Sequence, residues 1–223
     1  AITSGTATKL KQWLDISPRN CVTVLDTHDG IGIMDVARQD GKPGLLEDDQ
    51  VDFLVESIHQ KSKDASRKAS GEGGSNLDIY QVNCSFYEAL GKDDNDYLLA
   101  RAIQFFSPGI PQVYYGGFLA AENDMELMTK TNVHRDINRP YLSFDQIENA
   151  LDKRVVKNLI RLIKFRNSHP SFDGEFSIST PEGYQLIMRW DAENTWSQLN
   201  VNFKDKLMSL TYEQDGHENS ILF

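Results

Sequence analysis

A histidine and an aspartate, His28 and Asp29, follow a short run of apolar and β-branched residues at 21–25. The run predicts a strand buried on both faces, and α/β proteins place their chemistry at the carboxyl ends of such strands. A carboxylate fixed there could stabilise positive charge that develops on a substrate carbon. Two alternatives stay open. Asp29 before Gly30 could cap a turn or a helix, or the pair could ligate a metal ion.

A second group of polar side chains follows a glycine-rich loop. Asp78, Tyr80 and Gln81 come after residues 71–76, which include three glycines. Because glycine leaves the backbone free to adopt several conformations, the segment predicts a mobile gate that presents Asp78 in one state and Tyr80 in another. The alternative is an ordinary flexible surface loop that Tyr80 anchors.

Two guanidinium groups, Arg135 and Arg139, lie four residues apart in a later polar loop. Their planar donors suit sugar hydroxyls or an oxyanion. Asp136 lies between them and could pair with one of them, so a surface salt-bridge cluster is the alternative. The remaining histidines are isolated in sequence, and surface or structural roles are expected for each: His59, His134, His169 and His217.

The pattern around these residues predicts a strand at 21–25, an amphipathic helix at 94–106 and, after a turn at 108–111, a second buried strand at 112–115. Strand, helix and strand in this order imply a parallel sheet. Further helices are predicted at 6–14, 47–61 and 155–167. Short strands then recur at roughly ten-residue spacing and predict an antiparallel sheet: 176–179, 184–190, 197–203, 207–213 and 221–223.

The composition argues against several function classes. The 33 acidic and 23 basic residues give a formal charge of -10, and the cations are scattered, so no nucleic-acid partner is expected. No apolar run approaches the ~20 residues that span a bilayer, and a cytoplasmic location without membrane partners is expected. The spacing of Cys21 and Cys84 predicts neither a disulfide framework nor a structural metal.

Four segments in order, residues 24–32, 76–83, 108–115 and 135–139, resemble the sucrose phosphorylase family of the α-amylase superfamily. The resemblance implies an α/β fold. It would be the C-terminal part of a (β/α)8 TIM barrel with an inserted loop domain, followed by a small antiparallel β domain. The implied division assigns 1–30 and 92–171 to the barrel, 31–91 to the inserted domain with its mobile loop, and 172–223 to the β domain.

The resemblance also implies roles for individual residues. Asp29 would be the transition-state stabiliser, His28 and Arg135 would hold the glucosyl unit, Asp78 and Gln81 would face fructose, and Tyr80 would help to receive phosphate. The implied reaction converts sucrose and phosphate into α-D-glucose 1-phosphate and D-fructose by a retaining double displacement. Phosphate is then a co-substrate, and no cofactor or metal is expected.

By the same resemblance, the nucleophile and the acid/base lie on earlier strands that this chain does not contain. We therefore expect the chain alone to be inactive, and to pair with a missing N-terminal half or with a second copy. Pro140, where the family commonly has histidine, and the neighbouring Gly117 and Ala121 leave the acceptor open. Sucrose 6'-phosphate, glucosylglycerol and glucosylglycerate are alternatives. So is an inactive sugar-binding remnant, whereas the gate motif disfavours a hydrolase.

Overall fold

The structure, a computed structural model, describes residues 1–70, 75–221 and 223. The strands are β1 (Val22–Val24), β2 (Ile31–Gly32), β3 (Gln81–Val82), β4 (Ile110–Gln112), β5 (Glu175–Ser179), β6 (Gln185–Ala192), β7 (Thr195–Asn202), β8 (Leu207–Gln214) and β9 (His217–Ile221). The α-helices are α1 (Thr8–Ile16), α2 (Asp48–Lys61), α3 (Ala65–Ser70), α4 (Phe86–Ala89), α5 (Asp94–Phe106), α6 (Tyr115–Phe118), α7 (Met125–Thr131), α8 (Phe144–Asp152) and α9 (Arg154–Ser168). Short 3₁₀ helices occupy Asn76–Asp78, His134–Asn138 and Pro170–Asp173.

The chain forms two compact units, each assembled from separate stretches. The first unit comprises Ala1–Val24, Asn95–Gln112 and Lys157–Phe223, and the second comprises Leu25–Asp94 and Val113–Val156. The four-part division that the sequence predicts stays a prediction.

A parallel pair of strands lies in the first unit. Strands β1 and β4 run parallel, with Val22 opposite Ile110. The Gln104 side chain on α5 donates to the carbonyls of Thr23 and Gln112, at 3.1 and 2.9 Å, and so ties the helix to both strands. The predicted strand, helix and parallel strand are therefore confirmed.

Two details of that prediction are wrong. The second strand is β4 at Ile110–Gln112 rather than 112–115, and Tyr115 instead begins α6. Gly109, at φ +107°, completes the turn early and lets Ile110 donate to Cys21 O. The first strand is also not buried, since Val22 and Val24 are 52% and 48% exposed. A sheet of two strands leaves each strand with one neighbour, and much side-chain surface stays open.

The C-terminal part of the first unit is a five-stranded antiparallel sheet in the order β5-β6-β7-β8-β9, as predicted. Alternate residues of β6 and β7, among them Leu186, Met188 and Leu199, are fully buried, which is the pattern of a sheet with one covered face. The last strand was predicted at 221–223 but lies at His217–Ile221. Asp215 and Gly216 both adopt positive φ, as a two-residue hairpin turn requires, and this Asp-Gly signal places the strand earlier.

Helix α5 has the predicted bounds, but it is buried on all sides rather than on its apolar face alone. All its residues from Asp96 to Phe106 are buried. Its first turn is held by an ion pair in which Lys206 Nζ lies 2.6 Å from the buried Asp96 carboxylate. At its other end, the Trp190 indole N–H donates to Phe106 O at 2.8 Å. The helix is thus enclosed at both ends by the β-sheet segment of its own unit.

The second unit is built around α2, whose predicted position is confirmed. Glu47 and Gln50 form a reciprocal capping box at its start. Its buried side chains Val51 and Val55 pack in one apolar cluster with residues of β2, β3 and α4. Strands β2 and β3 pair antiparallel over two residues each, which is too short for a sequence pattern to reveal. The helix α8, which the sequence interpretation also missed, has a capping box of its own at Ser143.

His59, on α2, is buried and bonded, which agrees with the structural role expected for it. Its Nδ1 lies 2.7 Å from Ser66 Oγ, and Ser66 Oγ lies 2.7 Å from Ser62 Oγ. Ser62 Oγ in turn donates to His59 O. Because the Ser62 hydroxyl donates to His59 O, the Ser66 hydroxyl must donate to Ser62 Oγ. His59 Nδ1 then donates to Ser66 Oγ. Burial lowers the pKa of His59, the Arg67 charge acts in the same direction, and the Glu56 and Asp64 charges oppose it.

We expect the second unit to lose stability as the pH falls. A folded-state pKa below the unfolded value of about 6.5 means that the stabilisation is complete above that pH and is lost as the pH drops through the folded value. Urea unfolding between about pH 8 and about pH 5 measures this. The slope should become shallower in His59→Gln but not in His134→Gln, which alters an exposed histidine. An equally steep slope in His59→Gln would contradict the assignment.

Candidate active site

The segment after β1 in sequence, residues 26–30, carries the predicted site pair. Asp26 is buried, whereas His28 is exposed and Asp29 is partly exposed. The turn is stabilised locally because the Asp29 N–H donates to Thr27 Oγ1 at 3.1 Å. All of the predicted site residues lie in the second unit.

The carboxylate of Asp29 is held through one oxygen. Its Oδ1 accepts from Arg135 Nη1 at 3.0 Å and from Arg139 Nη2 at 3.4 Å, and His28 Nε2 lies 3.5 Å away. Within the described residues, Oδ2 makes no hydrogen bond or ion pair. One oxygen therefore fixes the carboxylate, and the second is available for a ligand.

The backbone around Asp29 is held by three further side chains, which we call the carbonyl clamp: Asn138, Arg139 and Gln81. Asn138 Nδ2 donates to Thr27 O at 2.7 Å, and Arg139 Nε donates to His28 O at 3.0 Å. Gln81 Nε2 donates to Asp29 O at 2.7 Å. Three successive carbonyls thus each have a separate side-chain donor.

Gly30 permits the close approach that Gln81 needs. Its φ is +123°, outside the region that residues with a Cβ favour, and an added Cβ would lie 2.7 Å from Val82 O. The strand pair β2–β3 begins at the next residue, with Ile31 opposite Val82. Glycine at this position therefore brings the segment that carries Gln81 against the segment that carries Asp29.

The loop with the two arginines is itself anchored. The Tyr114 hydroxyl donates to Asn138 O at 3.0 Å, and the Tyr115 hydroxyl donates to Pro140 O at 2.9 Å. Burial, together with the neighbouring Tyr115, raises the pKa of Tyr114, so the phenol stays protonated and keeps its donor. Pro140, singled out as a departure from the family, is buried and contributes its carbonyl to this anchoring.

The ion pairs of Asp29 differ in exposure. The side chain of Arg135 is 49% exposed and that of Arg139 is 31% exposed. Ion pairs open to solvent to this extent contribute about 0–1 kcal/mol, because water screens both charges. Arg139 also lies 3.6 Å from Asp136, so the pairing that the sequence allowed is present and extends to Asp29.

Asp78 and Tyr80 are not brought into this cluster by polar contacts. Both are exposed, Tyr80 at 63%, and among the described residues neither side chain forms a hydrogen bond or ion pair. Asn76 donates to Asp52 on α2 at 2.8 Å, and Tyr80 O accepts from Ile33 N and Met34 N. The glycines of the predicted gate at 71–74 lie outside the described residues, and the gate stays a prediction.

The contacts of Asp29 bear on its two alternative roles, a turn or helix cap and a metal ligand. In the part of the chain that the structure describes, its carboxylate accepts no backbone N–H, so it caps neither a turn nor a helix. Groups of three or more His, Cys, Asp or Glu side chains placed to hold a metal ion are also absent from the described residues.

None of the described helices combines the length and the apolar character that crossing a membrane requires.

Sequence reasoning gave no individual role to Asn138 or Gly30, and it assigned Arg139 to sugar hydroxyls or an oxyanion rather than to a backbone carbonyl. The adjacent Asn138 and Arg139 could have been interpreted as two hydrogen-bond donors for one neighbouring segment. No local signal shows that their partners are carbonyls more than 100 residues away in the chain.

A separate cleft of about 830 Å³ lies in the first unit, next to His169, Tyr212 and Glu213. His169 Nε2 and Thr195 Oγ1 both donate to Glu213 O, so these polar groups already have partners. None of the predicted site residues lines this cleft.

Comparison with known proteins relates the chain to phosphorylases. It is 54% identical to a sucrose phosphorylase of Agrobacterium vitis over 93% of its own length and 43% of the relative's. It is 42% identical to a glucosylglycerol phosphorylase of Marinobacter adhaerens, over 95% of this chain and 43% of that protein. The chain thus spans less than half the length of these curated relatives. No protein-family model matches it.

A solved structure gives the same relationship. The sucrose 6F-phosphate phosphorylase from Thermoanaerobacter thermosaccharolyticum superposes on the chain with a TM-score of 0.87 and 34% identity. The match covers all of this chain and 44% of that protein. The predicted α/β fold that ends in an antiparallel β domain is therefore confirmed.

Substitution of Gly30 tests whether close approach, rather than positive φ alone, sets its identity. We expect Gly30→Ala to destabilise the chain by roughly 3 kcal/mol, since strained backbone and displacement of the Val82 carbonyl add together. Gly41→Ala is the matched control, because Gly41 also has positive φ but no atom lies within 4 Å of its added Cβ. It should cost roughly 1 kcal/mol. Equal losses in urea unfolding would contradict the crowding at Gly30.

Proposed function

The chain belongs to the sucrose phosphorylase family, and we propose that it carries one part of the active site of a glucosyl-transferring phosphorylase. The whole protein would convert sucrose and phosphate into α-D-glucose 1-phosphate and D-fructose. The observation that carries the proposal is the convergence of residues from two other motifs, 76–83 and 135–139, on Asp29. That convergence supports a built site at this carboxylate.

Asp29 would act by electrostatics rather than by bonding to the sugar. In a retaining double displacement, a nucleophilic carboxylate attacks the anomeric carbon while an acid protonates the departing fructosyl oxygen. Phosphate oxygen then attacks the same carbon and releases the nucleophile, with the former acid acting as base. Positive charge builds on the sugar ring in both steps. A fixed anion beside the ring lowers both barriers.

The other residues would hold the sugar and the phosphate. His28 is exposed beside Asp29, and its imidazole can hydrogen-bond glucosyl hydroxyls. Both N–H groups of the Gln81 amide are used, on Asp29 O and on Asn83 Oδ1, so its oxygen Oε1 is the atom left to accept a fructose hydroxyl. Arg135 exposes a guanidinium group that can hold the glucosyl unit together with His28, Asp78 exposes a carboxylate that can face fructose, and Tyr80 exposes a phenol that can help to receive phosphate. The nucleophile and the acid/base would come from outside this chain.

A second candidate is a phosphorylase for a related α-glucoside. It is favoured by the 42% identity to a glucosylglycerol phosphorylase and by the structural match to a sucrose 6F-phosphate phosphorylase. Asp78 and Tyr80, which would face the acceptor, are exposed rather than fixed in the core. Substitutions at these two positions could therefore alter acceptor choice without disturbing the carbonyl clamp. Assays with glycerol, fructose and fructose 6-phosphate as acceptors would separate these substrates.

A chimera tests the proposal. This chain would replace the segment that it matches in the Agrobacterium vitis sucrose phosphorylase, and glucose 1-phosphate formed from sucrose and phosphate would be measured. We expect turnover, and we expect Asp29→Asn to lower kcat by about 10²–10³-fold because the charge is lost while the shape is kept. The matched control is Asp15→Asn, which removes an exposed carboxylate paired with Lys11.

Three outcomes would argue against this function. A folded chimera without turnover on any of these glucosides would indicate a sugar-binding remnant. Glucose release that is independent of phosphate would indicate a hydrolase. Release of glucose 1-phosphate by the purified 223-residue chain would contradict the view that the remaining catalytic groups lie elsewhere.

A further inference from the structure

We infer that the two arginines of the 135–139 loop have different tasks, an inference that rests on the proposed function. Arg139, together with Asn138, is a positioning residue that stays in place and fixes the backbone of Asp29. Arg135 is the exchangeable partner. It pairs with Asp29 when the site is empty and turns to the glucosyl unit when the sugar binds.

The contacts of Arg139 support a fixed position. Its Nε donates to His28 O at 3.0 Å, its Nη2 lies 3.4 Å from Asp29 Oδ1, and its Nη1 lies 3.6 Å from Asp136 Oδ1. One planar group thus contacts a backbone carbonyl and two carboxylates. Moving it would leave all three without this donor, so a ligand would have to replace several contacts at once.

Asn138 makes the same segment rigid. It is 4% exposed, its side chain donates to Thr27 O, and its own carbonyl accepts from Tyr114. The preceding residue, Ile137, is fully buried, and its carbonyl accepts from Asp124 N at 2.8 Å. The end of the loop is therefore part of the core of its unit.

Arg135 lies in a contrasting environment. Among the described residues, its side chain forms a polar contact with one partner, Asp29 Oδ1. It is half exposed and lies at the outer end of the loop. A guanidinium with five donors and one solvent-exposed partner can exchange that partner for glucosyl hydroxyls, while Arg139 keeps Asp29 oriented.

Hydrogen–deuterium exchange on the 223-residue chain tests the positioning role without any activity. We expect Arg139→Lys and Asn138→Ala each to raise exchange in peptides covering residues 25–32 by at least about fivefold, because the clamp opens more often. Arg135→Lys should leave these peptides unchanged. Arg38→Lys is the matched control, since Arg38 has an exposed ion pair with Asp48 elsewhere in the same unit. Equal exchange in the Arg135 and Arg139 variants would overturn the inference.

Kinetics in the chimera provide the second readout. Arg139→Lys should lower kcat by about 10–100-fold with little change in KM, because a misplaced Asp29 weakens the transition state alone. Arg135→Lys should raise the KM for sucrose by about tenfold with kcat nearly unchanged, because Arg135 is proposed to hold the glucosyl unit. The reverse pattern would overturn the division of tasks. An inactive parent chimera would refute the proposed function, whereas the exchange experiment would still decide the positioning role.

Discussion

A turn that leaves the end of a strand exposes carbonyls that no neighbouring strand can pair, and this chain meets that constraint with side chains. The carbonyls of Thr27, His28 and Asp29 are bonded by Asn138, Arg139 and Gln81. The contacts to the Thr27 and Asp29 carbonyls are partly buried, where an acceptor is costly to leave unpaired, and the more exposed His28 carbonyl is bonded as well. The segments that carry these donors therefore lie against Asp29 because its neighbouring carbonyls need hydrogen-bond partners, and this holds without a bound substrate.

This arrangement separates support from chemistry. Side-chain donors hold the backbone carbonyls of the turn. Guanidinium groups hold one carboxylate oxygen of Asp29, and the second oxygen has no polar contact among the described residues. A carboxylate held in this way loses little freedom when a ligand binds, which is the condition for electrostatic preorganisation. Gly30 is part of the same support, since its missing Cβ leaves room for the Val82 carbonyl.

Some elements depend on local signals and others on contacts between distant segments, which explains why only the former were predictable. Helices α2, α5 and α9 lie within two residues of their predicted bounds, because capping residues and apolar spacing act locally. The predicted position of β4 was wrong because the start of this strand depends on how closely Gly109 approaches Cys21. That contact joins segments far apart in sequence. The exposure of Val22 and Val24 likewise depends on the number of neighbouring strands, which no local pattern specifies.

The sequence by itself determined the family resemblance, the helices, the antiparallel sheet and the identity of Asp29, His28, Gln81 and Arg135 as candidates. These follow from residue types and from spacings within short windows. Only the tertiary structure decided that Arg139 and Asn138 hold the backbone, that Gln81 contributes its amide nitrogen to the clamp, and that Asp78 and Tyr80 make no polar contact with Asp29. Such contacts join residues 52 to 111 positions apart. Their partners are backbone carbonyls, which every residue carries and which therefore leave no signature in the sequence.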